Sequence, residues 1–257
     1  MYALRDGTIA NFPDSFHNFA AGFIPDFIGG AGGLNITALL ISILVSVLFV
    51  FLEFRKRMIA SKYEDEILPM PFLIIKLVLV VGVINLFGFW LAQSRGIPYI
   101  MILLAALILI YNFIASKTVM GRHVYATGGN EKAAILNGIK TKRVVFWVYV
   151  NMGVLAALAG MVFAARLNAS SPRAEAGFEL QAIAACFIGG ASPGGGIGKI
   201  TGAIIGALLL GVLSNGLGHL GMGADIQLAI TGLVVLAAVT FDVFTRTKVS
   251  KGKTAEA

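Results

Sequence analysis

The side chains best suited to chemistry are few and scattered. His17, His123 and His219 stand far apart, and none has a cysteine or carboxylate partner at metal-ligand spacing, so no metal site is expected. Cys186 is the only cysteine, which excludes an intrachain disulfide, and its apolar surroundings read as those of an inert buried thiol. Ser, His and Asp residues lack the sharp turn that exposes a nucleophile. Two glycine-rich runs approach nucleotide motifs and miss them. Pro193-Gly194-Gly195-Gly196-Ile197-Gly198-Lys199-Ile200 has proline where a phosphate loop needs its first glycine, and isoleucine where it needs a Mg²⁺-binding hydroxyl. Gly216-Leu217-Gly218-His219-Leu220-Gly221 has the letters of a dinucleotide fingerprint, but in a loop between apolar helices rather than after a strand. Neither run predicts ATP binding, and no catalytic residue or cofactor is expected.

Polar groups inside apolar runs are the remaining candidates. Lys76 is an intramembrane charge by position, which marks a functional hypothesis, yet it lies close enough to a helix end for its stem to reach the headgroups. Asn85 and Asn151 lie deeper, where an amide either bonds a neighbouring helix or touches a polar solute.

The elements that hold these residues are membrane helices. Hydrophobic residues make up 58% of the 257 and charged residues 13%, about half the charge of an ordinary soluble domain. A spanning helix needs about 20 apolar residues. Blocks 34–52, 72–92, 97–115, 144–165 and 225–244 qualify, and 198–214 reads as a further crossing. The stretch 181–190 is too short to cross unless 191–197 continues it. The fold class is therefore all-α: a polytopic transmembrane helix bundle with six or seven membrane segments.

The net charge of +7 would raise the question of nucleic acid in a soluble protein, but the excess sits in loops between apolar blocks. Segments 53–70, 116–143 and the tail from residue 245 carry 14 Lys and Arg. The intervening segments carry only Arg5, Arg95, Arg166 and Arg173. The positive-inside bias puts the first set in the cytoplasm. Three parts follow: an extracytoplasmic segment 1–33, a transmembrane domain 34–244 with a cytoplasmic loop at 116–143, and a cytoplasmic tail 245–257. An external N-terminal segment without a preceding signal suggests that further helices once led into it.

Both 166–180 and 215–224 then lie outside, so the chain between them crosses twice or dips in and returns. Non-helical backbone inside a bilayer must be covered by protein or line a wet cavity. Gln181, Gly189, Gly190 and Ser192 are accordingly candidate pathway residues together with Asn85 and Asn151; a tight surface turn at 193–196 is the alternative. Gly198, Gly202 and Gly206 recur every fourth residue and predict a smooth groove for close helix packing.

Segment 116–143 is the most informative. Gly128 and Gly129 lead into Asn130, which is suited to cap a short helix. Glu131 complements the helix dipole in its first turn, and Gly138 is placed to end it. Ala133, Ala134 and Leu136 give this helix a small apolar surface with one larger knob, suited to a partner's groove.

The run Gly121-Arg122, Tyr125-Ala126-Thr127-Gly128-Gly129-Asn130-Glu131-Lys132-Ala133-Ala134, Leu136, Gly138-Ile139 resembles the signature cytoplasmic loop of permeases in ribose- and xylose-type sugar ABC importers. Ser171-Pro172, the block from Glu179-Leu180 to Ile188-Gly189-Gly190 and Ser192, and Asn215-Gly216 are similar to the same family's pattern. The likeness covers 121 to about 244. Phe12-Pro13-Asp14 and the run from Gly22 to Phe27 resemble the xylose or multiple-sugar branch.

The resemblance implies two permease chains (a homodimer), two cytoplasmic ATPase subunits and an extracytoplasmic sugar-binding protein, importing a pentose such as xylose across a bacterial inner membrane. Segment 128–138 would be the coupling helix that docks in the ATPase, and the C-terminus would be cytoplasmic. This chain would be no enzyme, since hydrolysis belongs to the partner, and no nucleic acid is implied. Family members carry more spanning segments, so the sequence looks like the C-terminal two-thirds of a permease. A branched-chain amino acid permease and an inactive truncated fragment are the alternatives. An ion-driven secondary transporter is disfavoured because the spanning cores hold no Asp or Glu away from their ends.

The orientation is checked by labelling. A cysteine at Lys132 in a Cys186→Ala background should react with an impermeant maleimide only after the cytoplasmic side is opened. Reaction in intact cells would reverse the assignment.

Overall fold

The computed structural model describes residues 7, 9–26, 29, 34–62, 69–170, 177–192 and 194–255, with the side chains of 60–62, 224 and 241–255 outside the description. Of the positions singled out in sequence, Arg5, Phe27, Ser171, Pro172, Arg173 and Pro193 lie outside the described residues.

Ten helices follow in order among the described residues: α1 (Asp14–Ala21), α2 (Ile36–Lys62), α3 (Met70–Gln93), α4 (Tyr99–Lys117), α5 (Val119–Gly129), α6 (Glu131–Leu136), α7 (Thr141–Leu167), α8 (Phe178–Ile188), α9 (Ile200–His219) and α10 (Ala224–Ala255). Five of them are long and apolar enough to cross a membrane: Ile36–Ile59, Met70–Gln93, Tyr99–Lys117, Thr141–Leu167 and Ile200–His219. Phe178–Ile188 and Asp225–Thr240 are shorter apolar helices. Their surfaces suit lipid. Leu109 is 70% exposed and Val212 74%, which water would penalise and hydrocarbon does not. The protein is an all-α polytopic membrane protein.

Several boundaries differ from the hydropathy blocks. Helix α2 runs beyond residue 52 through Glu53, Arg55, Lys56 and Arg57, because these residues favour helix as strongly as apolar ones do. Residues 119–129, expected as loop, form α5, whose first turn is closed by Thr118 Oγ1 accepting from the Gly121 amide at 3.2 Å. The Gly216–Gly221 run is no loop; Gly216 to His219 are the last turn of α9. Helix α8 has 11 residues, about 16 Å at the helical rise. That is roughly half the hydrocarbon thickness, so α8 does not span by itself.

The chain divides into two compact units. One comprises 11–103 and 162–169. Here α2 and α3 pair through Gly88, whose missing side chain makes room for Ser42. Asn85 Nδ2 donates to Ser46 Oγ and to its own Val81 carbonyl, both at 2.9 Å. Lys76 forms an ion pair with Glu53 of α2, so its ammonium is held by a partner helix rather than by snorkelling alone. In the same unit the Phe12 amide donates to Asn168 Oδ1 at 2.9 Å, and His17 Nδ1 lies 2.8 Å from the Ala165 carbonyl oxygen. The Tyr99 amide donates to the Gly22 carbonyl at 3.0 Å. Segments 11–24, 97–99 and 165–168 are thereby tied together.

The other unit comprises 1–10, 104–161 and 170–257. Its closest packing is α8 on α9. A Cβ on Gly206 would strike the Ala185 carbonyl oxygen, and one on Gly202 the Gly189 carbonyl oxygen. Ala184, Ala185 and Leu210 form a small buried core here, covered by Ile188, Leu213 and Val235. Cys186, expected to be buried, is exposed. The face of α8 that meets α9 is already filled by Ala184 and Ala185, and one residue further turns the side chain away. Gly198, expected as the first member of the helical glycine stripe, precedes α9, which starts at Ile200.

Two alanine substitutions in one helix should therefore diverge. Gly211 of α9 has open space where its Cβ would be, and Gly211→Ala should be neutral or raise stability by up to about 1 kcal/mol through helix propensity. Gly202→Ala should lower the thermal unfolding temperature of the detergent-solubilised chain by several degrees. Equal melting curves would remove the role of the α8–α9 backbone contact.

Candidate functional site

Helices α5 and α6 are separated by one residue, Asn130. Its extended backbone (φ −157°, ψ 100°) breaks α5, and its Oδ1 accepts from the Ala133 amide at 3.0 Å to cap α6. Glu131 occupies the first turn of α6. At the other end Gly138 takes φ +79°, and its amide donates to the Ile135 carbonyl at 2.9 Å, while the Ile139 amide donates to the Ala134 carbonyl at 3.0 Å. This pair of bonds is a Schellman motif, and it requires the left-handed conformation that glycine supplies. A helix of 6 residues is marginal on its own, so both caps are needed to hold its shape.

The apolar face of α6 differs from the expected one. Ala134, assigned to the outward surface, is only 3% exposed and seats the helix inward. The outward residues are Leu136, 88% exposed, and its neighbour Ile135, 54% exposed, with Ala133 and Lys132 also exposed. A bulky replacement at Ala134 would therefore disturb the fold and not report on docking.

The end of α5 is fastened to the turn between α8 and α9. A Cβ on Gly195 would collide with the Gly128 carbonyl oxygen, and one on Gly196 would lie 2.6 Å from Gly129 Cα. Both turn glycines have φ near +76°, at +77° and +75°. One α5 turn earlier, Tyr125 donates its hydroxyl to the Gly198 carbonyl at 2.8 Å. Within the turn, Ser192 Oγ accepts from the Gly194 amide at 3.2 Å. Gly128 and Gly129, assigned to the coupling loop, are thus helical and packed. The near-phosphate-loop run Gly194–Gly198 meets this helix end with its backbone.

Two cavities flank Tyr125. One, about 490 Å³, is lined by Gly189, Gly190, Gly196, Lys199, Gly202 and neighbours. The other, about 480 Å³, is lined by Tyr111, Met120, Val124, Trp147, Asn151, Ile200 and neighbours. In the second, the Tyr111 hydroxyl donates to Asn151 Oδ1 at 2.5 Å, joining α4 to α7 and leaving the Asn151 amide nitrogen without a protein acceptor among the described residues. Its walls are apolar and aromatic with a single amide, the usual make-up of a small-molecule site.

The expected pathway residues consequently separate. Gly189 and Gly190 border the first cavity and Asn151 the second. Asn85 belongs to the other unit, bonded to Ser46 and lining a smaller cavity of about 310 Å³. Gln181 lies in the first turn of α8, and Ser192 serves the turn; neither lines these cavities. Tyr111 and Trp147 carry no expectation from the sequence, and Tyr125 only a place in the signature run. An aromatic hydroxyl inside an apolar span was the available signal for Tyr111, since such a group seeks a partner in hydrocarbon. No group of three His, Cys, Asp or Glu that could hold a metal occurs among the described residues.

Comparison with known proteins shows the family. The family model described as "Branched-chain amino acid transport system / permease component" matches residues 4–239. The xylose transport system permease protein XylH of Haemophilus influenzae is 43% identical over 171 residues, 66% of this chain and 44% of that protein. The ribose import permease protein RbsC of Bacillus subtilis is 45% identical over 147 residues, 57% of this chain and 46% of that protein. RbsC of Escherichia coli K12 is 42% identical over 159 residues, 62% and 50% of the respective chains. The matched parts are about half the length of these curated relatives. No solved structure matches. The family match runs almost from end to end of an all-α polytopic chain, and the chain belongs to this family of transport-system permease components.

Proposed function

We propose that this chain is permease machinery of an ATP-driven sugar importer in a bacterial inner membrane, carrying a pentose and coupling to a cytoplasmic ATPase through α6. The observation that carries the reading is the doubly capped α6, which presents Leu136 and Ile135 to solvent while Ala134 seats it. A large apolar residue held outward at a polar helix junction, just before the basic start of α7, suits a protein groove.

Sugar is favoured over amino acid by the relatives, which are xylose and ribose permeases at 42–45% identity. The cavity at Asn151 adds support. The faces of Trp147 and Tyr111 suit the C–H face of a sugar ring, and the Asn151 amide suits a hydroxyl. The reading keeps segment 116–143 and the C-terminus cytoplasmic, as the 14 to 4 charge split favours. Contacts among segments 11–24, 97–99 and 165–168 agree with one common side for these three. The assembly would include a second permease chain, the ATPase and an extracytoplasmic sugar-binding protein. The alternative substrate class, a branched-chain amino acid, is named in the family's description but not by these sugar-permease relatives.

Two measurements test this. Leu136→Asp should reduce capture of the ATPase by the membrane-inserted chain more than about tenfold, the effect of burying an unpaired charge in a docked interface. Capture at the wild-type level would remove α6 as the docking element. In proteoliposomes of the complete importer, labelled xylose or ribose should accumulate with ATP and leucine should not, and Asn151→Leu should depress the sugar flux. Uptake of leucine alone would establish the amino acid reading.

A further inference from the structure

The docking helix is not free to move alone. It is joined to α5 through Asn130, whose amide donates to the Ala126 carbonyl of α5 while its side chain caps α6, and the two helices are in contact. Helix α5 in turn ends on the α8–α9 turn through backbone contacts with no side chain between them: Gly195 on Gly128, and Gly196 on Gly129. The approach is close enough that neither turn glycine has room for a Cβ, and withdrawal would forfeit the dispersion of the contact. The Tyr125–Gly198 hydrogen bond fixes a second point about one helical turn away, which resists rotation of α5 about the glycine contact. Beyond the turn, Gly189 meets Gly202 backbone to backbone, so the displacement of one end of the turn is passed to the α8–α9 pair.

We infer that Tyr125 and the Gly128–Gly129/Gly195–Gly196 contact are positioning groups: they clamp the ATPase-facing element α5–α6 to the α8–α9 turn, so that the two move as one body in the transport cycle. The inference rests on the docking role proposed for α6 and adds the route by which motion reaches membrane-embedded backbone. The turn, on this view, is neither an inert surface loop nor a phosphate loop. It is the follower of the coupling element, and it borders the cavity that Gly189 and Gly190 line.

The experiment is a distance measurement in the complete importer in nanodiscs. Spin labels are placed at Lys132→Cys and Ile197→Cys in a Cys186→Ala background, both positions being exposed. The expected result is one narrow distance distribution, unchanged between nucleotide-free and ATP-trapped states. Gly195→Ala should broaden it and lower sugar uptake about tenfold, within the usual range of coupling free energies, while ATPase capture is retained. Tyr125→Phe should lower uptake less and leave capture intact; Gly211→Ala serves as the control. A 132–197 distance that shifts between nucleotide states while transport proceeds would overturn the clamp, as would wild-type uptake by Gly195→Ala. Should Gly195→Ala fail to insert, the distance in the otherwise unaltered chain still decides. Absence of ATPase capture by the wild-type chain would overturn the docking reading and the inference with it. Retained capture with a broad distribution would overturn the clamp alone.

Discussion

Close approach of bare backbone is the constraint on which the packing around the candidate site depends. Lipid tails are as apolar as leucine, so membrane helices gain little by hiding hydrophobic side chains from them. They associate by dispersion at short range and by hydrogen bonds, and both grow as axes approach. Gly189, Gly202 and Gly206 permit that approach between α8 and α9, and Gly128, Gly129, Gly195 and Gly196 permit it between α5 and the turn. A methyl group at most of these positions would meet a carbonyl oxygen or another backbone atom. The 11-residue α8, too short to span, can be held in place because α9 covers its glycine end and its alanine face.

Polar contacts supply the register that glycine contacts lack. In the unit formed by 11–103 and 162–169, Ser46 receives Asn85 and Glu53 receives Lys76, two rungs along the α2–α3 pair. In the other unit Tyr111 meets Asn151 between α4 and α7. Such bonds average only about 0.6 kcal/mol in membranes, less than their unpaired cost would suggest. Their value lies in direction: sliding one helix by a turn leaves a donor in hydrocarbon. Asn151 differs from Asn85 because it accepts one hydrogen bond and keeps its amide for a cavity, whereas both N–H groups of Asn85 are engaged.

Sequence periodicity and spacing carried the membrane spans and, residue by residue, the caps of α6. Asn130, Glu131 and Gly138 act locally, within a few residues of the atoms they satisfy, so no tertiary knowledge is needed to read them. What failed were the assignments of single side chains to an inward or outward face. Ala134 and Leu136 are two residues apart, and whether one faces in or out depends on which way α6 leaves Asn130. Cys186 follows the same rule, since apolar surroundings in sequence say nothing about which face α9 covers. The loop expected at 119–129 became helix because Gly128 and Gly129 are tolerated at a helix end when their backbone is in contact with another backbone. That contact joins residues more than sixty positions apart, beyond the reach of any local pattern.

The exposure of Leu136 then acquires its meaning from the economy of α6. Six residues form too few internal hydrogen bonds to sustain a helix, and the two caps with the seated Ala134 already account for its shape. Leu136 contributes nothing to that arrangement, being the most exposed of the large hydrophobic residues described. It does not lie on a lipid-facing span either, since α6 stands between α5 and the basic start of α7 at Lys140, Lys142 and Arg143. A side chain with no role in its own fold is free to meet a protein surface, as the docking role proposed for α6 asks. The rigidity that the caps and glycine contacts impose would be superfluous for a passive anchor. It suits the mechanical link proposed for α5 and α6.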